Sequence, residues 1–386
     1  AYGGGVYISR NATLLGTMNV TGNTAKKSSD SSDDNMNFSS GITVALSDGS
    51  GNALSTDSQI TVRTGKTPAA GSPVQFATGA TEDMKKCFTS ENSSYAVRFG
   101  SNEKALYLSA STYTDLWYKA DDNGTKRFFE GTDKNSLIST EITDFSEAVQ
   151  RINSSKTIHM LTSYERFESE TTTVPAGKNI TVVRDGDFTT DSMFKITGGT
   201  FEINAPNTSS SITFDGQNIT PTAEYKGGVF NVYEGGAAFK LSGAEKSDRT
   251  KTIVIQNSVV SGTDCWGGGI YCRKTTNEIS NCNIINNSAK YGGAVYFDYG
   301  TNTVSNCTIT NNKCENLGAV SFFEGTNLLA DTVKITDNKT TQDLSSNIFL
   351  SSSTVNLYDS SSNKKLSTSS QIGVTTKDAP TSGNPV

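Results

Sequence analysis

The residues of this chain that could do chemistry are few and scattered. The densest group is Arg184-Asp185-Gly186-Asp187, two carboxylates and a guanidinium within one short run. Polysaccharide lyases, hydrolases and esterases need such clustered acids, one to give a proton and one to take it, often beside Arg, Lys, His or calcium. Here the group ends a strand-like run, Asn179-Ile180-Thr181-Val182-Val183, and a turn is the plainer reading. His159 is the single histidine, which removes most imidazole chemistry and most His-based metal binding. The six cysteines are Cys87, Cys265, Cys272, Cys282, Cys307 and Cys314, and none makes a Cys-x-x-Cys pair. Zinc and thioredoxin-like readings therefore lack support. Residues 26–37 carry Ser28, Asp30, Asp33 and Asp34, a weak calcium hint without the Gly and terminal Glu of an EF-hand loop. They read as a solvated loop. No catalytic, cofactor-binding or metal-ligating residue is expected, and no enzymatic activity.

The elements that would position these residues declare themselves by repetition. Gly267-Gly268-Gly269-Ile270-Tyr271 returns as Gly292-Gly293-Ala294-Val295-Tyr296 and as Leu317-Gly318-Ala319-Val320-Ser321, 25 positions apart each time. Asn281-Cys282 returns as Asn306-Cys307, and Ile284-x-x-Asn287 as Ile309-x-x-Asn312 and Ile335-x-x-Asn338. The same unit opens the chain, in Gly3-Gly4-Gly5-Val6-Tyr7-Ile8 followed by Val20-x-x-Asn23. Alternation within the unit is that of strands. Val6/Ile8, Ile270/Cys272, Val295/Phe297 and Val320/Phe322 form one inward row. Met18/Val20, Cys282/Ile284, Cys307/Ile309 and Val333/Ile335 form a second, and Ile279, Val304 and Leu329 a third. Three short strands per 25-residue turn describe a coil of a right-handed parallel β-helix. The recurrent asparagine fits a corner ladder, each amide bonding the next coil's. Tyr7, Tyr271 and Tyr296 would form an exposed ladder, able to stack on sugar rings or to stabilise the sheet.

A longer period is also present. Leu54-Ser55-Thr56-Asp57-Ser58-Gln59-Ile60 matches Leu366-Ser367-Thr368-Ser369-Ser370-Gln371-Ile372, 312 positions on, and Pro68, Gly71, Pro73 and Val74 match Pro380, Gly383, Pro385 and Val386. Residues 4–20 resemble residues 318–335 at an offset of 314 to 315. The 386 residues are expected to be one period of about 312 plus an overlap, within a parent several periods long. Residues 1–36 read as the last coils of a preceding β-helix, 37–140 as a β-rich insert, 141–360 as a β-helix, and 361–386 as the start of the next insert, a copy of about 49–74. Within the insert, residues 42–46, 59–62, 95–99 and 105–108 are strand-like. Residues 143–152 are the one good helix, with a capping box of Asp144 and Glu147 and an apolar face of Phe145, Ala148, Val149 and Ile152. It would cover the first open coil, a sheet end that otherwise templates aggregation. Only 34% of residues are hydrophobic, which suits a thin rod better than a compact globule.

The motifs Gly292-Gly293-Ala294-Val295 and β-branched-x-x-Asn resemble the repeats of polymorphic outer-membrane proteins and related giant repetitive β-helical surface proteins of bacteria, although Ile or Val stands here where the family has Phe. The resemblance covers about two-thirds of the chain. It implies secretion, surface display and an adhesive or structural role. A net charge of −6 argues against nucleic acid and against an anionic membrane surface, and no run of apolar residues is long enough to span a bilayer. The first residues carry no leader pattern and already read as the middle of a coil. The expected partners are neighbouring repeats of the same polypeptide, self-association into fibres or a lattice, and a host or glycan ligand. The rival reading is a carbohydrate-binding or carbohydrate-active β-helix. Cys272, Cys282 and Cys307 fall on inward rows, where free thiols act as small hydrophobes. Cys282 and Cys307 would stack in adjacent coils, close enough for a vertical disulfide, for which parallel geometry is demanding, while Cys265 and Cys314 lie two coils apart, too distant to bond. Asn-x-Ser/Thr sequons at Asn11, Asn19, Asn179, Asn218, Asn306 and Asn338 matter only in a glycosylating source.

Overall fold

The computed structural model describes residues 5–27, 30–33, 35–68, 73–92, 95–100, 104–110, 115–131, 133–134, 137–140, 142–186, 188, 191–217, 225–233, 236–262 and 264–374. The chain forms two compact units. The first holds residues 1–144 with 151–153, and the second residues 145–150 with 154–386.

The second unit is a parallel β-helix. Each turn lays one strand into each of three sheets, so every strand pairs with its counterpart a turn later. Thr157–Met160, Asn179–Arg184, Ser211–Asp215, Ile253–Gln256, Cys282–Ile285, Thr308–Thr310, Lys334–Thr336 and Gln371–Ile372 follow one another in the first sheet. The second runs from Tyr164–Arg166 through Phe194–Ile196, Phe230–Tyr233, Ile270–Arg273, Val295–Asp298 and Val320–Phe323 to Ile348–Ser351. The third runs from Glu170–Thr173 to Val355–Asn356. A short fourth sheet at one corner contains Cys265–Trp266, Ser288–Tyr291, Lys313–Asn316 and Lys339–Thr340.

Period-two alternation builds the core. In Asn179–Arg184, Ile180 and Val182 point in, while Thr181 and Val183 point out. Stacked turns then align these positions into columns. Ile158, Val182, Phe214, Ile255, Ile284, Ile309 and Ile335 occupy one column, each in register with the next. Phe194, Phe230, Ile270, Val295, Val320 and Ile348 occupy another. Each buried side chain of this kind contributes about 1.5–3 kcal/mol. The glycine pairs divide two tasks. Gly267 and Gly292 take positive φ, +67° and +60°. At Gly268 and Gly293 a Cβ would lie 2.2 Å and 2.0 Å from a carbonyl oxygen of the next turn, so only glycine lets the corners stack.

The helix is Phe145–Arg151, shorter than the expected 143–152. Phe145, Ala148 and Val149 are buried, and Phe145 packs edge-on to Phe194 at 5.1 Å. Its first amides bond across to the first coil. The Phe145 N–H donates to the Tyr164 hydroxyl at 3.0 Å and the Ser146 N–H to Glu170 Oε1 at 2.7 Å. At the other end, Lys178 Nζ donates to the Val149 carbonyl at 3.3 Å and the Gln150 carbonyl at 2.5 Å. The first coil thus reaches up and holds both ends of the helix.

In the first unit, Val6–Ile8, Met36–Phe38, Gln59–Thr64 and Phe88–Ser90 make a parallel sheet, joined at Gln59–Thr64 by Asn19–Val20. Ala12–Thr13, Val44–Ala45 and Val74–Thr78 are also parallel, and Ala105–Ala110 and Tyr95–Gly100 continue that sheet antiparallel. One apolar core, including Phe38, Leu46, Val62, Phe76, Phe88, Leu106 and Leu108, fills the space between. Residues 26–37 are not all loop: Thr24–Lys27 pairs antiparallel with Asp30–Asp33, and Met36–Phe38 is a strand, while Ser28 and Asp34 lie outside the described residues. Leu116–Ala120 and Lys126–Glu130 form a hairpin whose turn is tied by Asp121.

Candidate functional site

Of the Arg184 group, Arg184 ends its strand and Gly186 lies in a turn. Arg184 is buried beneath it. Its guanidinium donates to the carbonyls of Gly216 at 3.2 Å, Phe188 at 3.4 Å, Asp191 and Gly228, and it lies 4.8 Å from the Phe188 ring. It ties a charge to buried backbone acceptors, as burial demands. Asp185 is half-buried, with its backbone N–H on the Met160 carbonyl at 3.0 Å, and Asp187 lies outside the described residues. His159 sits on the outward row of its strand, between buried Ile158 and Met160. Among the described residues, no group of three or more His, Cys, Asp or Glu could hold a metal ion.

The tyrosine ladder departs from expectation. Tyr7 is exposed, its hydroxyl 2.7 Å from Ser39 Oγ. Tyr271 and Tyr296 are buried, because the corner strand Cys265–Trp266 lays its indole over them. Trp266 lies 5.9 Å from the Tyr271 ring, 5.2 Å from Tyr296 and 6.0 Å from Tyr291, and the two buried tyrosines stack at 6.0 Å. The Tyr271 hydroxyl donates to Asp298 Oδ2 at 3.3 Å, which also pairs with Arg273 Nε at 3.3 Å. Burial, with the Asp298 carboxylate adding to it, holds the Tyr271 phenol above its usual range and pushes Tyr296 to about 12. Trp266 and Tyr291 remain half-exposed, with Lys290 Nζ 5.4 Å from the Tyr291 ring. They form an aromatic corner with cationic and acidic groups beside it.

The corner asparagines form the expected ladder. Asn287 Nδ2 donates to Asn312 Oδ1 at 3.2 Å, Asn312 Nδ2 to Asn338 Oδ1 at 2.9 Å, and Asn338 Nδ2 to Asn347 Oδ1 at 3.0 Å. Each amide also donates to a strand carbonyl, of Ile255, Ile284 or Ile309. The preceding residues, Asn286, Asn311 and Asp337, turn the corner at positive φ. A second ladder was missed: Asn277 Nδ2 donates to Asn302 Oδ1 at 2.7 Å, Asn302 Nδ2 to Asn327 Oδ1 at 2.8 Å, and Asn327 Nδ2 to Ser353 Oγ at 2.7 Å. It continues the column of Phe201 and Phe239. The signal was available, since Asn277, Asn302 and Asn327 are 25 apart and lie two before inward Ile279, Val304 and Leu329. Also unread in the sequence was a buried ion pair, Arg98 Nη1 to Glu130 Oε2 at 3.6 Å, with Ser109 Oγ donating to the same carboxylate oxygen at 3.0 Å.

All six cysteines are buried free thiols. Cys282 Sγ donates to the Ser280 carbonyl and Cys307 Sγ to the Ser305 carbonyl, each at 3.2 Å, and burial pushes the Cys272 and Cys282 thiols up. Ala289 lies between Cys265 and Cys314 in the corner sheet. Among the sequons, Asn338 is buried in the ladder and Asn306 is half-buried, bonded to Asn281. Asn11, Asn19 and Asn179 are exposed, and Asn218 lies outside the described residues.

A cleft of about 620 Å³ in the first unit is lined by Asn37, Arg63, Thr64, Ser90, Glu91 and Tyr95, among others. Glu91 Oε1 accepts the Asn35 N–H at 2.7 Å, so part of this acid is committed to backbone. Among the described residues, no helix is long and apolar enough to cross a membrane. No family model matches the chain, and no curated protein matches it in sequence.

Proposed function

We propose that this chain is a stretch of an extracellular structural or adhesive surface fibre, built from tandem β-helical periods of about 312 residues. One observation carries the reading: the same layer is built twice. In the first unit Gly16 bridges Leu54, and Asn19 and Val20 pair with Gln59 and Ile60; in the second Asp331 bridges Leu366, and Lys334 and Ile335 pair with Gln371 and Ile372. The Met18 N–H donates to Ser58 Oγ at 3.0 Å, and the Val333 N–H to Ser370 Oγ at 3.1 Å. A layer that recurs with its register intact lets length grow with copy number. Stacked coils supply stiffness, since each turn adds about 4.8 Å and a full set of backbone hydrogen bonds. The resemblance to bacterial surface repeats supports secretion and display, by analogy.

The test is the mass and microscopy of the parent polypeptide. Rods that lengthen by roughly 40 Å of coil per copy, plus the insert, are expected. A parent without further copies of the period sinks the reading. A second reading, carbohydrate binding, is favoured by the half-exposed Trp266 and Tyr291. Saturable polysaccharide binding lost in Trp266→Ala would place it first, and turnover of pectins, alginates or glycosaminoglycans would replace both.

A further inference from the structure

The duplicated layer differs between its two copies in what lies beyond it. Val6 and Ile8 pair with Met36 and Phe38 in the first unit, as Val320 and Phe322 pair with Ile348 and Leu350 in the second. Ala12 pairs with Val44 as Asn327 pairs with Val355, and Met36 with Val62 as Ile348 with Val374. So Phe38, Leu46 and Val62 have Leu350, Leu357 and Val374 as counterparts. In the first unit, Val74–Thr78 adds to the edge of Val44–Ala45, and Phe88–Ser90 to the edge of Gln59–Thr64. Phe76, Phe88, Leu106 and Leu108 then close the core, and Phe38, Leu46 and Val62 are each 0% exposed. Among the described residues of the second unit, Val355–Asn356 and Gln371–Ile372 end their sheets, and Leu350, Leu357 and Val374 are 43%, 52% and 70% exposed. Apolar side chains in matching register are buried in one copy and exposed in the other, at a strand edge that pairs with no further strand among the described residues.

The geometry points to this open layer as a docking surface for a second copy of residues 74–110. That copy would be supplied by the next period of the same polypeptide, so the inference rests on the tandem reading above. The occupant is identified by the interface the chain already makes: the same edges, the same register and the same three apolar positions receive that element in the first unit. The sequence leads to it as well. Pro380, Gly383, Pro385 and Val386 repeat Pro68, Gly71, Pro73 and Val74, which brings the chain to the first residue of the element. The β-rich insert thereby acts as the joint between periods, sealing the last coils of one β-helix.

Hydrogen–deuterium exchange on the 386-residue chain, and on the chain lengthened after Val386 by a second copy of residues 75–144, tests this. Lengthening is expected to slow exchange of amides 355–357 and 371–374 by about tenfold or more. Leu357→Asp should abolish that slowing, yet leave the melting temperature of the original chain unchanged, whereas Leu46→Asp should lower it. Unchanged exchange overturns the proposal, whether or not the added residues fold, because in the first unit they share one core with this layer. Self-association of the original chain that protects the same amides also overturns it, by naming a different occupant. A parent polypeptide lacking further periods would overturn both readings, whereas unchanged exchange with further periods present would overturn this one alone.

Discussion

At the scale of single residues, the polar groups that stand out in the sequence are mostly buried and partnered. Arg184, Tyr271, Tyr296 and the ladder asparagines all lie inside and all have partners. Buried phenols carry a signature in alkali. Burial raises Tyr164 and Tyr271 above the usual value of 10.0 and takes Tyr296 to about 12. The folded state therefore keeps these protons after the unfolded chain has lost them. Their contribution to stability is full below pH 10.0 and falls as pH rises through the folded values. Alkaline titration should show a cooperative unfolding step coincident with a burst of phenolate absorbance. Smooth titration of all tyrosines near their ordinary value, without unfolding, would contradict it.

At the scale of elements, the helix is held by the coil it covers. Seven residues form too short a helix to persist alone. Glu170 accepts the Ser146 N–H and the Tyr164 hydroxyl, the latter at 2.6 Å, and pairs with Arg166 at 3.2 Å. Glu170→Ala leaves these buried partners without their acceptor and should cost about 3 kcal/mol. Amides 145–150 should exchange faster, with Glu170→Gln recovering part of the loss. Exchange confined to its original rate would show that apolar packing of Phe145, Ala148 and Val149 suffices. The helix was legible from its apolar face and acidic start. Its true clamp was not, because Tyr164 and Glu170 follow it in sequence and meet it only when the first turn closes.

At the scale of the molecule, a solenoid is a chain of nearest-neighbour contacts. Asn312 sits mid-ladder, accepting from Asn287 and donating to Asn338, Ile284 and Thr310. Asn312→Ala should destabilise its neighbourhood by about 3 kcal/mol, through the acceptors and donor left buried and unpaired. Faster exchange is expected across residues 282–347, with no change over residues 157–204. A uniform loss of protection along the whole unit would mean that the coils fold as one cooperative block.

The sequence by itself determined the coil. A 25-residue repeat with period-two alternation leaves no other way to bury Ile270, Ile284 and Ile279 and their successors, and paired glycines and recurrent asparagines mark the corners. The match of residues 54–60 to 366–372 is likewise in the sequence, and the two stretches pair in the same way. Tertiary structure alone decided which outward faces stay outward. Tyr271 and Tyr296 alternate as exposed residues should, but a corner strand folds Trp266 over them. Arg98 and Glu130 read as surface charges until strands far apart in the chain enclose them. Alternation reports only which side of its own sheet a side chain takes. Whether another element covers that side depends on long-range closure, and no local pattern encodes it.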